Sequence, residues 1–269
     1  MPYCSQCGAH VTETAKYCPK CGTAIGPAAA RPRRIPREPR KPMGALVIVS
    51  IILIVAISIP AILYGSGYWH TIFPLVGSGN MRTQEMNYDA FTAVSVGNGF
   101  KVEITQSTTY NVTITADDNL FDAIQVSKTN DKLTIGLLPG RVVKSGTLNA
   151  TITMPDLDEV TLSGGSQGTL QGFHSTHDFV LDLSGGSRIH KLKGSANDLS
   201  ISASGGSQLN LSHFMVHDAT VNLSGGSRAT IKLDGRLDAT LSGGSQLYYY
   251  GDPTLGDIVT TGGSTVSQK

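Results

Sequence analysis

The stretch LDLSGGSRI, residues 181–189, sets two glycines between two serines, with Leu-Asp-Leu before them and Arg-Ile after. The same Ser-Gly-Gly-Ser unit recurs at 163–166, 204–207, 224–227 and 242–245, and a Thr-Gly-Gly-Ser version stands at 261–264. From start to start the intervals are 21, 20, 20, 18 and 19 residues. A fixed period near 20 with a turn at constant phase is the mark of a stacked solenoid. Aligned on the motif, the residue just before it is Leu162, Leu183, Ala203, Leu223, Leu241 or Thr260, and two places further back stands Val160, Leu181, Ile201, Val221, Ala239 or Ile258. Between them lie Thr161, Asp182, Ser202, Asn222, Thr240 and Val259. Apolar, polar, apolar is a period of two, which is a strand with one buried face. Beyond the motif, Ile189, Leu209, Ala229, Leu247 and Val266 resume the inward positions.

This alternation excludes helical repeats. The predicted fold class is all-β, a single-stranded β-helix with coils of about 20 residues stacked about 4.8 Å apart. The paired glycines would stack in a column at one corner, because they alone accept left-handed angles and close approach between coils. Gly172, Gly194 and Gly235 suggest a second corner, and the flanking serines would share hydrogen bonds along the stack. Leu192 falls one place late in the longest interval, which predicts a bulge near Lys191.

Formal charge is +1 over 269 residues, but residues 1–41 are basic and the rest is mildly acidic. All four cysteines, Cys4, Cys7, Cys18 and Cys21, lie at the N-terminus as two C-x-x-C pairs, each followed by a glycine, Gly8 or Gly22. That spacing suits a tetrahedral zinc, and so short a segment needs the metal to fold. The segment 3–25 resembles the zinc-ribbon found at the N-terminus of many archaeal and bacterial membrane proteins.

RPRRIPREPRKP (31–42) combines six cations, one anion and repeated prolines, an extended linker that would lie near anionic lipid. MGALVIVSIILIVAISIPAILY (43–64) carries no charge and, as a helix, would span ~33 Å, enough to cross a bilayer. Tyr64, Tyr68 and Trp69 follow as an interfacial belt. The expected organisation is a zinc-ribbon at 1–26, a basic linker at 27–42, a transmembrane helix at 43–64, a linker at 65–84 and the β-helix at 85–269. Cations only on the N-terminal side place residues 1–42 in the cytoplasm and the C-terminal domain outside, in a single-pass cell-membrane protein. Cysteine usage agrees, since thiolates for zinc belong on the reducing side.

Before the repeats, FTAVSVGNGFKVEIT (91–105) has the same outline of strand, glycine turn and strand, and YNVTITADDNLFDAIQVSKTNDKLTI follows it. This order, with its ADDNL turn and the later run of SGG strands, resembles the auto-transporter adhesin head GIN domain family over roughly 88–264. The resemblance implies an extracytoplasmic β-helical module with a role in adhesion, here tethered by a helix rather than by a membrane barrel.

On the outward faces, Thr161, Asp182, Ser202, Asn222 and Thr240 form one column and Gln167, Arg188, Gln208, Arg228 and Gln246 another. One carboxylate in both columns does not make a polysaccharide-processing enzyme, which needs clustered acids, so the chain is read as a non-enzyme. The Gln–Arg column is the candidate ligand face. Asp178, Asp198 and Asp218 recur at a spacing of 20; they cap turns, with a calcium (Ca2+) column as the alternative. One zinc ion (Zn2+) at the cysteines is the expected cofactor. Outside, the expected partner is an envelope polymer or a surface protein, or a second copy in a homo-oligomer. In the alternative reading the chain is a transmembrane sensor or scaffold whose zinc-ribbon docks a cytosolic protein. Nucleic acid is disfavoured, since the ribbon itself carries only Lys16 and Lys20 as cations.

Overall fold

The structure, a computed structural model, describes residues 3–25 and 74–269. The expected linker 27–42 and transmembrane segment 43–64 lie outside the described residues, as does 65–73. Among the described residues no helix is long and apolar enough to cross a membrane.

The body opens with β1 (Leu75–Val76) and β2 (Met81–Met86), inside the stretch 65–84 expected to be a linker, so its folded part begins before residue 85. β3 (Ala93–Val96) and β4 (Lys101–Gln106) flank the corner Gly97-Asn98-Gly99. β5 (Asn111–Asp117), a 3-10 turn (Asp118–Ala123), β6 (Ile124–Thr129), β7 (Lys132–Leu137), β8 (Val143–Ser145) and β9 (Leu148–Met154) follow. Each later coil then contributes two strands. They are β10 (Glu159–Leu162) and β11 (Gln167–His174), β12 (Phe179–Leu183) and β13 (Arg188–Ser195), and β14 (Leu199–Ala203) and β15 (Gln208–Val216). Below them come β16 (Ala219–Leu223) and β17 (Arg228–Leu233), β18 (Arg236–Leu241) and β19 (Gln246–Tyr250), and β20 (Thr254–Thr260) and β21 (Thr265–Gln268).

Even-numbered strands from β10 to β20 stack as one parallel sheet and odd-numbered strands from β11 to β21 as another. The body is therefore an all-β solenoid with two sheets facing each other. The expected inward residues are buried: Leu162, Leu183, Ala203, Leu223 and Leu241 on one sheet, Ile189, Leu209, Ala229 and Leu247 on the other. In the last coil Thr260 is exposed, and Ile258 and Val266 are only partly covered. Phe179 and Phe214, with ring centroids 5.6 Å apart, fill the interior near the second corner. The predicted bulge is present. Gly168 pairs with Ile189 and Thr169 with Lys191, leaving His190 as the extra residue.

The glycine column is also present. The first glycines, Gly164, Gly185, Gly205, Gly225, Gly243 and Gly262, have φ between 60° and 66°, and the second glycines between 77° and 80°. A Cβ on Gly205 would stand 3.1 Å from the Gly185 nitrogen, whereas one on Gly206 would meet nothing within 4 Å. The first position thus needs glycine for both angle and clearance, the second for angle alone. At the top of the column Asn98 takes the first position with φ 59°, and its side-chain oxygen accepts the Leu137 N–H at 3.0 Å.

Two expectations are corrected. The serine hydroxyls do not form a ladder along the stack, although in the last coil the Ser245 N–H donates to Ser264 Oγ at 3.1 Å. Ser166, Ser187, Ser207, Ser227 and Ser245 point inward and are fully buried, and each hydroxyl donates to the carbonyl three residues back, at 2.7–2.8 Å. A buried hydroxyl needs an acceptor, and the turn supplies the nearest one. Nor do Gly172, Gly194 and Gly235 share the second corner: Gly172 and Gly194 lie within β11 and β13, and only Gly235 lies between strands. Gly194 pairs with Phe173 and Phe214, and the Gly235 N–H donates to the His217 carbonyl.

At the N-terminal end the order in space departs from the order in sequence. β7 pairs with β3 and β9 with β4, so a coil made later in the chain sits above the β3–β4 coil. Antiparallel β6, β5 and β2 then close that end. The ADDNL turn grips the entering segment. The buried Asp117 carboxylate accepts the Gly79 N–H at 2.6 Å and the Thr147 N–H at 2.7 Å, and Asn119 bonds Ser78 and Val76. The Thr147 and Gly79 amides hold Asp117 below its ordinary value of 3.8. The stabilisation it adds is therefore present above that value and is lost as pH falls through the lower folded value. Asp117→Asn offers one acceptor where two N–H groups need two. We expect the variant to melt lower than the wild type at neutral pH and to show a flatter acid limb in a pH series of denaturation midpoints. Superimposable acid limbs would remove this role.

Candidate functional site: cysteine quartet and polar columns

In the N-terminal unit, Tyr3 bridges His10 and Tyr17 bridges Ala24, closing two short antiparallel turns. Gly8 and Gly22, both at φ 72°, let their N–H groups bond back to Cys4 and Cys18 carbonyls. The four sulfurs lie within 4.8 Å of one another, with Cys4 to Cys21 at 3.6 Å and Cys7 to Cys18 at 3.7 Å. A tetrahedron with metal–sulfur bonds of about 2.3 Å has edges of about 3.8 Å, so the quartet fits one zinc. These separations are far from a disulfide bond of about 2.05 Å. The Thr23 hydroxyl and then the Thr23 N–H pull the Cys21 thiol down to about 6, while the neighbouring Cys21 sulfur pushes the Cys7 thiol up to about 12, so Cys21 is the readiest of this pair to give the thiolate a metal needs.

On the solenoid, strand register puts Gln167, Arg188, Gln208, Arg228 and Gln246 in a single column, one per coil. Arg188, Gln208 and Arg228 are exposed, and Arg228 Nε donates to Gln246 Oε1 at 3.0 Å. Above Gln167 the column continues through Lys101 and Asn149. There a polar hollow of about 420 Å³ is lined by Lys101, Glu103, Asn149, Gln167 and His190. The bulge turns His190 across it, to 3.0 Å from Gln167 Oε1. Sequence reading missed Lys101, Glu103, Asn149 and His190; the signal was the Gly97–Gly99 corner, which aligns Lys101 with Gln167. On the other sheet, Thr161, Asp182, Ser202, Asn222 and Thr240 also align. They border a shallow groove of about 390 Å³ with the first serines of the corners.

Asp178, Asp198 and Asp218 stand at the second corner, each with its Oδ1 engaged. Asp198 Oδ1 accepts the Asp218 N–H at 3.3 Å, Asp218 Oδ1 the Arg236 N–H at 2.6 Å, and Asp178 Oδ1 an Asn197 side-chain N–H at 3.2 Å. Asp238 repeats the pattern below, accepting the Asp257 N–H at 2.6 Å. The Arg236 guanidinium and then that amide hold Asp238 below the usual carboxylate range. His217 Nδ1–H donates to Asp234 Oδ1 at 3.0 Å, and Asp234 and then Asp218 raise the imidazole pKa.

A family model described as "Putative auto-transporter adhesin, head GIN domain" matches residues 90–253, and a zinc-ribbon domain model matches residues 3–25. Among solved structures, a "putative adhesin" from Bacteroides fragilis NCTC 9343 is similar at 17% identity, covering 72% of this chain and 100% of that one, with a TM-score of 0.62. A "putative lipid binding protein" from Parabacteroides distasonis ATCC 8503 is similar at 16% identity, covering 73% and 100%, with a TM-score of 0.54. These two share the fold. A "putative adhesin" from Parabacteroides merdae ATCC 43184 is 20% identical over 72% of this chain and 98% of that one, with a TM-score of 0.49. A comparison with curated proteins finds no match.

Proposed function

This chain belongs to the auto-transporter adhesin, head GIN domain family, and on that premise we propose that it is a membrane-anchored binding protein that displays its solenoid outside the cell. The uncharged stretch 43–64, preceded by the basic linker, supports the anchor and its orientation. The zinc-ribbon is then a small cytosolic module held together by one zinc. Protease added to intact cells is expected to digest the solenoid and spare residues 1–42; protection of the solenoid would reverse the orientation.

The observation that carries the binding role is the Gln–Arg column. One long polar side chain projects from each of five coils, at a rung spacing of about 4.8 Å. Such a row suits an extended polymer bearing carboxylate or phosphate groups, met by arginine donors and glutamine amides. The Asp178–Asp198–Asp218 column supports capping of the coil turns rather than cation binding, because one oxygen of each carboxylate already accepts an N–H group. The test is binding of the purified chain to anionic glycans and envelope fractions. An Arg188→Gln, Arg228→Gln double variant should bind at least about tenfold more weakly, since each charged hydrogen bond contributes roughly 1.5–3 kcal/mol. Equal binding by the double variant would remove this face, and no binding by the wild type to any fraction would remove the role.

A further inference from the structure

The loop between β9 and β10 carries Asp156 and Asp158, and the loop before β12 carries His177. Stacking brings them together across one coil boundary. His177 Nδ1 lies 3.3 Å from Asp156 Oδ2 and 3.9 Å from Asp158 Oδ1, and the three donor atoms all fall within 4.8 Å of one another. Asp158 Oδ1 is sealed from solvent and accepts no hydrogen bond. The Asp158 side chain as a whole is 44% exposed, but this oxygen meets only the His177 imidazole at 3.9 Å and has no donor, which is the position a cation would fill.

We propose that this corner binds one divalent transition-metal cation of the zinc class through Asp156, Asp158 and His177. An imidazole with two carboxylate oxygens is a donor set that such a cation accepts, and three protein ligands leave a position open to water or to an outside ligand. The positions are fixed by the ladder rather than by loose loops. The Asp158 N–H donates to the Thr92 carbonyl at 2.8 Å, the Val180 N–H to the Asp158 carbonyl at 2.8 Å, and the Asn197 N–H to the His177 carbonyl at 3.1 Å. Leu157, fully buried between the two aspartates, pins the loop to the core. The His177 side chain is 65% exposed, so a metal can enter from solvent.

The same corner two coils on provides an internal control. His217 faces Asp218 and Asp234, the same residue types, but there Asp218 Oδ1 accepts the Arg236 N–H and Asp234 Oδ1 pairs with His217 Nδ1. Among the described residues no oxygen of that trio is both buried and without a partner, which distinguishes it from the Asp158 corner.

The experiment is equilibrium dialysis of the purified full chain against zinc, with cobalt substitution to tell the sites apart. The wild type should hold a second zinc beyond that of the cysteine quartet. With cobalt, the second site should show weak d–d bands and no sulfur charge-transfer band. His177→Gln and Asp158→Asn should each lose that second ion while keeping the sulfur-bound one, and His217→Gln should keep both. His177 and His217 are both exposed, so their variants should keep the wild-type circular dichroism. A wild type without a second ion overturns the proposal. So does a second ion that survives His177→Gln, or one lost equally in His217→Gln.

Discussion

Gly205→Val should destabilise the solenoid by about 2–5 kcal/mol. An L-residue forced to the left-handed angle costs about 1–2 kcal/mol, and overpacking adds about 1–3 kcal/mol. Gly205 sits in mid-column at φ 66°, and its Cβ would press on the Gly185 nitrogen at 3.1 Å. The coil below presses in turn, since a Cβ on Gly225 would come within 3.2 Å of the Gly205 nitrogen. A wedge at one corner must lift neighbouring coils and break the hydrogen bonds that flank it, such as Ser204 N–H to the Leu183 carbonyl and Ser224 N–H to the Ala203 carbonyl. Gly206→Ala carries only the angle, and should cost about 1–2 kcal/mol. Denaturant unfolding followed by circular dichroism would rank Gly205→Val above Gly205→Ala, and that above Gly206→Ala. Equal losses for the two alanine variants would mean that close approach between coils contributes nothing.

The second large effect is at the cysteines. Cys18→Ser should abolish the sulfur-bound zinc and unfold residues 3–25, because structural zinc supplies roughly 10–16 kcal/mol in small zinc modules. Little else could hold that unit: its buried apolar residues are Cys4, Val11 and Cys18, with Ala9 and Ile25 partly covered. The solenoid has no cysteine, so its denaturation midpoint should not move. Acid should release the metal as the thiolates protonate. Zinc content, the cobalt–sulfur charge-transfer band and proteolysis of residues 3–25 would report the outcome. A ribbon that stays protease-resistant in Cys18→Ser would show that packing, not metal, holds it.

Much of the solenoid is legible in the sequence because its physics is local and repeated. Val160, Leu181, Ile201, Val221 and Ala239 recur at constant phase, so one register buries them all and a one-residue slip would expose them. Even the bulge beside Lys191 shows, as a single inserted residue before Leu192. The inward serines were less legible. Serine reads as a surface residue, and only the turn geometry shows that the fourth corner position faces the interior with its hydroxyl already satisfied.

The sequence by itself determined the repeat, the buried strand face, the glycine corner and the cysteine quartet. Each depends on residues close in the chain or on a period that copies one local solution down the stack. Only the tertiary structure decided that β7 and β9 lie above β3 and β4, and that Asp117 fastens the entering segment. It alone brought Lys101 beside Gln167, and Asp156 and Asp158 beside His177. These meetings join residues about a coil or more apart, and no local preference encodes them. They come from the stacking itself, which sets every residue about 5 Å from its counterpart in the next coil.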